Sequence, residues 1–417
     1  MSRALVLFED TRWADLAPLT DLRPVPALAF GASDLATRLR AAAALPLLAI
    51  EGRADVMSAW RGAPTPEPAA RVADEVVTLN AAVLPGAWLA EALAGTGPAL
   101  WLAGDAVAGG RMPRSQAEAG LGRGEGFETW LRSCGPPARS VDATRLVWPW
   151  DLVTHLVDAI ASDLAARPGV VRGAVDPRAV LIAPERITVA AGARVDPLAV
   201  LDARDGPIAI GEHVVILPHT VVRGPCVVGA GTHLLGGFVG HSAIGPGCRI
   251  AGEVDQCVWQ GWANKRHHGF VGHSVVGEWV NLGALTTTSD LKNNYGEVRV
   301  RRGGREIATG TTKVGSILGD HVKTGIGTLL PTGAVIGTGA NLFGGGRFAP
   351  KYVPAFTWWD GERGVEHELE RFLATARVAL SRRDRVLEDP ETRRLRALHA
   401  ATASDRRGFA AGRTPVP

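Results

Sequence analysis

From Ile210 the chain places an apolar residue at every sixth position: Ile210, Ile216, Val222, Val228 and Leu234. The pattern resumes at Ile244 and Ile250, at Val276 and Leu282, and at Leu318, Thr324, Leu330, Ile336 and Leu342. Glycine commonly follows the apolar residue, as in IGEHVV, VGAGTH, IGPGCR and IGTGAN, and a small residue often stands four further on (Thr220, Cys226, Thr232, Ala340). A period of six fits neither a helix nor an alternating strand. It fits a solenoid of short strands in which the apolar residue points inward and glycine takes the corners. Three such steps make one triangular coil, so residues 185–345 predict about nine coils of left-handed parallel β-helix, stacked at ~4.8 Å.

Residues 1–170 lack this pattern. Short apolar runs (ALVLF, LPLLAI, EVVTL, PALWLAG) alternate with helix-compatible segments such as ASDLATRLRAAAA and GAWLAEALAG. That alternation predicts an α/β domain with a mostly parallel sheet. WPWDLVTHLVDAIASDLAA closes it with a helix, and ARPGVVRGAVDP links it to a β-helix domain at 171–350. Residues 351–402 form a helical segment, because ERGVEHELERFLATARVALSRRDRVL has apolar residues at helical spacing and can cover the open end or side of the solenoid. The tail at 403–417 is polar and carries Gly and Pro, so it is expected to be disordered.

Composition narrows the function classes. A net charge of +3 gives no polyanion surface, so no nucleic-acid partner is expected. No apolar run reaches the ~18 residues of a membrane helix. Four scattered cysteines without a CxxC argue against disulfides, and the chain reads as cytoplasmic. Only five lysines occur, at 265, 292, 313, 323 and 351. Both tyrosines and five of the six asparagines lie between 264 and 352 as well. In a chain that otherwise uses Arg, a cluster of compact ammonium groups marks that window as the place to look for chemistry.

Within it, NKRHHGFVGHSVVGEWVNLG places His267, His268 and His273 inside seven residues. They are packing residues, metal ligands or a catalytic base. His268 and His273 have the His-x4-His spacing of zinc-binding trimeric β-helices of the gamma carbonic anhydrase class, although a third ligand would have to come from another coil.

Several blocks resemble the bifunctional UDP-N-acetylglucosamine pyrophosphorylase/glucosamine-1-phosphate N-acetyltransferase family, in its alternate bacterial branch. They are LFEDTRWADLAPLTDLRPV, NKRHHGFVGHSVVGEWVNLGALTTTSDLKNNYGEV, GDHVKTGIGTLLPTGAVIG and VPAFTWW with SRRDRVL. The resemblance implies acetyl-CoA-dependent N-acetylation of an amino-sugar 1-phosphate by the β-helix, in a homotrimer that takes only small-molecule substrates. His267, with Phe270 and Gly272, matches the family's His-x-x-aromatic-x-Gly setting for the base. Asn281 matches a sugar contact, Asn294 and Tyr295 a pair near the amine, and Ser316 a serine at the thioester. Lys265 and Lys292 join them as substrate-binding candidates, while Lys313, Lys323 and Arg347 could meet the phosphates of coenzyme A.

For the first domain the family implies UTP-dependent uridylyl transfer with Mg2+, through Glu9, Asp10 and Arg23 at the nucleotide and Asp105 at the metal. The chain departs from the pattern in three ways. It has no GxGxR loop, Ala29 and Ala82 stand where the branch has arginines, and TTTSDLK is inserted before Asn294. The alternative is a first domain that only binds or regulates.

Overall fold

The computed structural model describes residues 2–134, 136–165, 167–302 and 304–410. The chain separates into two compact units, Met1–Leu28 with Ser33–Trp148, and Ala29–Ala32 with Pro149–Pro417. The division falls at Trp148/Pro149, so the helices Asp151–Thr154 and Leu156–Leu164 belong with the solenoid.

The first unit is built on six strands: β1 (Arg3–Phe8), β2 (Leu47–Glu51), β3 (Glu75–Asn80), β4 (Ala99–Ala103), β5 (Ala106–Pro113) and β6 (Ala138–Ser140). Their order across the sheet is β2-β1-β3-β5-β4-β6. β1 runs parallel to β2 and β3, but β5 is antiparallel to both β3 and β4. The sheet is therefore mostly parallel, as expected, with β5 as the one reversed strand among the six. Only Gly104, at φ 62°, and Asp105 join β4 to β5. So short a link can close a hairpin, whereas a parallel crossover needs a dozen residues or more.

The second unit is a parallel β-helix. One face is a ladder of nine short strands, from Ile187–Val189 through Ile208–Ile210, Cys226–Val228 and onward to Tyr352–Val353. Every apolar residue of the six-residue pattern is at most 5% exposed, Thr324 included. The break between Ile250 and Val276 disappears once Trp259, Lys265 and Val271 are admitted as inward positions, in register with Ile244, Ile250 and Val254. The break between Leu282 and Leu318 holds an excursion. The chain leaves the coil at Asp290, forms the antiparallel hairpin Arg299–Arg302 with Arg305–Ala308, and returns at Val314, whose N–H donates to the Asp290 carbonyl at 2.9 Å. The inserted Thr287–Thr288 is itself a coil strand, paired with Leu329–Leu330.

One corner departs from the expected glycine. Gly231, Gly247 and Gly339 take positive φ there, but so do Trp262, Trp279, His321 and Phe356. Side chains at such φ are strained. Here the rings of successive coils stack, Trp262 on Trp279 at 5.5 Å between centroids and Trp279 on His321 at 6.5 Å.

Among the described residues beyond the solenoid there are three helices, Leu369–Ser381, Asp389–Ala401 and Ala403–Ala410. The first buries Phe372, Leu373, Ala376 and Leu380, the stripe seen in the sequence. The third corrects the expectation of disorder from 403 onward, since Arg406 is buried with its guanidinium on Thr402 and on the His399 carbonyl. Residues 411–417 lie outside the described residues. Cys226, Cys248 and Cys257 are free thiols inside the β-helix, and Cys134 is half-buried. Among the described residues no helix is long and apolar enough to cross a membrane.

Candidate active site

The histidine-rich stretch is one turn of a coil. Asn264–Lys265 and Phe270–Gly272 are strands, and residues 266–269 make the corner between them. Gly269 is required there, because its φ is 133° and a Cβ would lie 2.2 Å from the Thr286 carbonyl oxygen. The corner exposes Arg266, His267 and His268. Lys265, expected at the substrate, is turned into the solenoid and has no exposed surface. Its Nζ donates to the Ala251 carbonyl at 2.7 Å and to the His267 carbonyl at 3.1 Å. Burial pushes this ammonium down to about 8. Lys265 thus holds the backbone of His267 from within.

Beside the corner, outward side chains form a register column: Arg249, Asn264, Asn281, Lys323 and Asn341 on successive coils. Asn264 Nδ2 donates to Asn281 Oδ1 at 2.8 Å. Lys323 is half-buried, and desolvation lowers it to about 8. Phe270 pairs in register with Glu253 and lays its ring across Gly272, where a Cβ would be 2.3 Å from it.

The other expected residues are spread more widely. Asn294 and Tyr295 are exposed on the excursion, where Asn294 Oδ1 accepts from Gly296 N–H and Lys292 Nζ donates to the Glu297 carbonyl. That arm leaves the coil at Asp290, and the strand Phe270–Gly272 separates the His267 corner from His273, which bonds Asp290. Lys313 is exposed at the return of the arm. Ser316 is fully buried and its N–H donates to Ser274 Oγ, so its hydroxyl cannot meet a thioester at the surface. Arg347 is exposed but paired with Glu362 at 2.8 Å.

Two carboxylate–imidazole pairs within the coils went unforeseen. His273 Nδ1 lies 2.6 Å from Asp290, and His241 Nδ1 lies 2.7 Å from Asp255. Burial opposes ionisation of Asp255, yet the His241 hydrogen bond and the charges of His241, His273 and Lys313 hold its pKa below the ordinary carboxylate value. The sequence carried a signal, the repeated Gly-His-Ser of GHSAIG and GHSVVG. Each serine hydroxyl caps the glycine carbonyl two residues back and accepts a backbone N–H from a later coil. His268 and His273 do not form the zinc pair that their spacing suggested. One is exposed at the corner, the other is buried on Asp290, and no group of three metal-ligating side chains occurs among the described residues.

In the first unit Glu9 is buried against Arg53, whose Nε and Nη2 donate to its two oxygens at 2.7 and 3.1 Å, and Val25 N–H adds a third bond. Arg53 Nη2 also donates to the Arg23 carbonyl, and Arg23 is itself buried. Asp10 accepts from Arg145 at 2.6 Å and Asn80 at 2.9 Å. A small polar cavity beyond Asp10 is lined by Thr11, Arg12, Asp105, Glu128, Arg132 and Arg145. Its three arginines were not foreseen, because they stand at 12, 132 and 145 and no local motif joins them.

Residues 5–168 match the family described as sugar nucleotidyl transferase. The N-terminal part of this chain is thus similar to that family. The match runs past Trp148 to include the helix that packs with the β-helix unit. Two curated relatives are bifunctional by name. A bifunctional sugar-1-phosphate nucleotidylyltransferase/acetyltransferase of Sulfurisphaera tokodaii is 37% identical over 93 residues, 22% of this chain and 23% of the relative. The bifunctional protein GlmU of Methylibium petroleiphilum is 30% identical over 191 residues, 41% of this chain and 36% of that one. The chain thus spans well under half the length of either. Among solved structures, Arabidopsis UDP-N-acetylglucosamine acyltransferase is 14% identical, covering 58% of this chain and 99% of its own at a TM-score of 0.24. A GDP-perosamine N-acetyl transferase of Caulobacter crescentus is 13% identical, covering 65% and 96% at 0.14.

The residues at the cavity beyond Asp10 do not fit the Mg2+ that the resemblance implied. Asp105, expected as the ligand, is a hairpin-turn residue whose side chain is 84% exposed and 3.8 Å from Arg12. A cation beside three guanidinium groups is disfavoured.

Proposed function

We propose that the β-helix unit transfers an acyl group, acetyl in the simplest case, from coenzyme A to the amine of an amino-sugar 1-phosphate. The observation that carries the reading is the His267 corner. It holds an exposed imidazole on a backbone anchored from the core by Lys265, beside the Asn264–Asn281–Lys323 column. The amine nitrogen attacks the thioester carbonyl and the carbon–sulfur bond breaks. His267 takes the amine proton and returns it to the departing thiolate. Asn281 orients the sugar, and Lys313 and Lys323 meet phosphates. Arg347 contributes there only by releasing Glu362. Asn294 and Tyr295 stand on an arm rooted on the far side of the Phe270–Gly272 strand from His267, which favours a site completed by a second copy in a homotrimer. A coenzyme A-release assay across amino-sugar phosphates tests this. Loss of activity in His267→Ala supports it, and unchanged activity in that variant ends it.

For the first unit the geometry favours nucleotide binding over turnover. Glu9 and Asp10 are each closed by an arginine, and Ala82 is buried at a position where the branch has a long basic side chain. Pyrophosphate release from UTP and a sugar 1-phosphate is expected to be absent or very slow while acyl transfer persists. Rapid Mg2+-dependent release would overturn this.

A further inference from the structure

A group of arginines on the β-helix is left unused by this function. His233, Arg249 and Asn264 are outward neighbours on successive coils, and Arg266 follows Asn264 with the same outward parity, since Lys265 between them points inward. Arg249 is fixed in place. Its Nη1 donates to the carbonyls of Gly231, Gly247 and Cys248, at 2.9, 3.3 and 2.9 Å.

The segment after the helix Leu369–Ser381 brings more charge to the same place. Arg385 lies 4.0 Å over the ring of Trp262, two residues before Asn264. Arg383 keeps its Nε buried with no hydrogen-bond partner. Among the described residues, none of Arg249, Arg266, Arg383 and Arg385 is in an ion pair with a carboxylate. Burial depresses both Arg249 and Arg383; Arg249 also feels Arg383 and Arg266, and Arg383 feels Arg382 and Arg266. His233 is pushed down by burial and then by Arg249, Arg383, Arg194 and Arg266.

Like charges gathered on a rigid backbone, partly desolvated and without counter-charges, repel one another unless an anion lies among them. Guanidinium forks fit phosphate oxygens in paired, charge-assisted bonds.

We propose that Arg249, Arg266 and Arg383, with His233 beside them, form a binding site for a pyrophosphate-bearing small molecule. The fixed Arg249 reads one phosphoryl group. Arg266 and Arg383, from the corner and from the C-terminal segment, close on the other. Because Arg383 belongs to a segment outside the solenoid, occupancy also pins that segment to the coils.

Calorimetric titration of the full chain with inorganic pyrophosphate at low ionic strength tests the site. Orthophosphate and sulfate serve as weaker comparisons. The exposed Arg266→Gln and the segment's Arg383→Gln are each expected to weaken one binding event about tenfold or more. The double variant should lose less than the product of the two, because the groups act on one ligand. Any event at the arginine-lined cavity of the first unit should persist in both variants. Arg266→Lys separates a fork from a point charge and should restore binding only in part. Absence of any pyrophosphate binding overturns the proposal. So does binding that the Arg266→Gln and Arg383→Gln variants leave unchanged in number and affinity. The outcome is independent of His267, whose replacement should leave this event intact.

Discussion

In the first unit the carboxylates expected to do chemistry are buried and closed, Glu9 on Arg53 and Asp10 on Arg145. In the β-helix the arrangement is turned round. The expected base, His267, is exposed, and the group that supports it, Lys265, is buried with no carboxylate bonded to it. A buried ion pair fixes a scaffold and uses up its charges. A buried cation held only by carbonyls fixes backbone and leaves the surface side chain free to react. Candidate chemistry in the two units is thus to be sought at different depths.

That comparison can be broken at its strongest point first. Replacing His267 with Ala should lower acyl transfer by roughly 10²–10⁴ in kcat, the usual worth of a general base. His268→Ala and His273→Ala should be much milder. Comparable losses in all three would mean that exposure at the corner has nothing to do with the reaction. Next comes the closed pair. Arg53→Ala leaves Glu9 buried and uncompensated, so the first unit should lose about 3–5 kcal/mol in a urea titration. A loss below 1 kcal/mol would show that Glu9 is more open than its 2% exposure implies.

The third test concerns the lone cation. Lys265 is lowered to about 8 in the folded chain, whereas its unfolded value is the ordinary 10.5. Between those values the unfolded chain binds a proton that the folded chain has released, so this residue makes stability rise with pH. Relative to Lys265→Met, the parent should therefore gain stability from about pH 8 to 10.5 and show no such trend below pH 7. Parallel curves for the two proteins across that range would refute it. The smallest effect belongs to the surface. Glu362→Gln breaks the exposed Arg347 pair and should change stability by no more than about 1 kcal/mol, less in high salt.

Much of the solenoid was legible because its core repeats. One apolar position in six was enough to place the buried face of nearly every coil. The reading failed where a residue contradicted its own position. Lys265 stands six after Trp259 and six before Val271, yet a lysine is read as surface, so the phase seemed lost at the coil that carries the candidate base. The glycine rule failed likewise at Trp262, Trp279 and His321, where stacking between coils supports rings in a conformation that sequence assigns to glycine. In the first unit strand existence was visible in ALVLF and EVVTL, but the one reversed strand was not. It depends on the two-residue link at Gly104–Asp105, and apolar runs say nothing about links. Ser316 and Lys265 were misplaced for one reason: a motif gives residue type and spacing, while inward or outward is decided by parity along the strand.

The three solenoid cysteines give the fold a built-in clock. Burial raises the thiols of Cys226 and Cys248 to about 12 and lifts that of Cys257 as well, so none presents a thiolate to a reagent while its coil is closed. Cys134, half-buried in the other unit, is the internal reference. Under an alkylating agent the rate at each position then measures how often the surrounding rung opens to solvent. Cys226, Cys248 and Cys257 fall on or between neighbouring rungs, so equal rates would mean that these coils open as one block. A gradient from one to the next would mean that the solenoid unzips from an end.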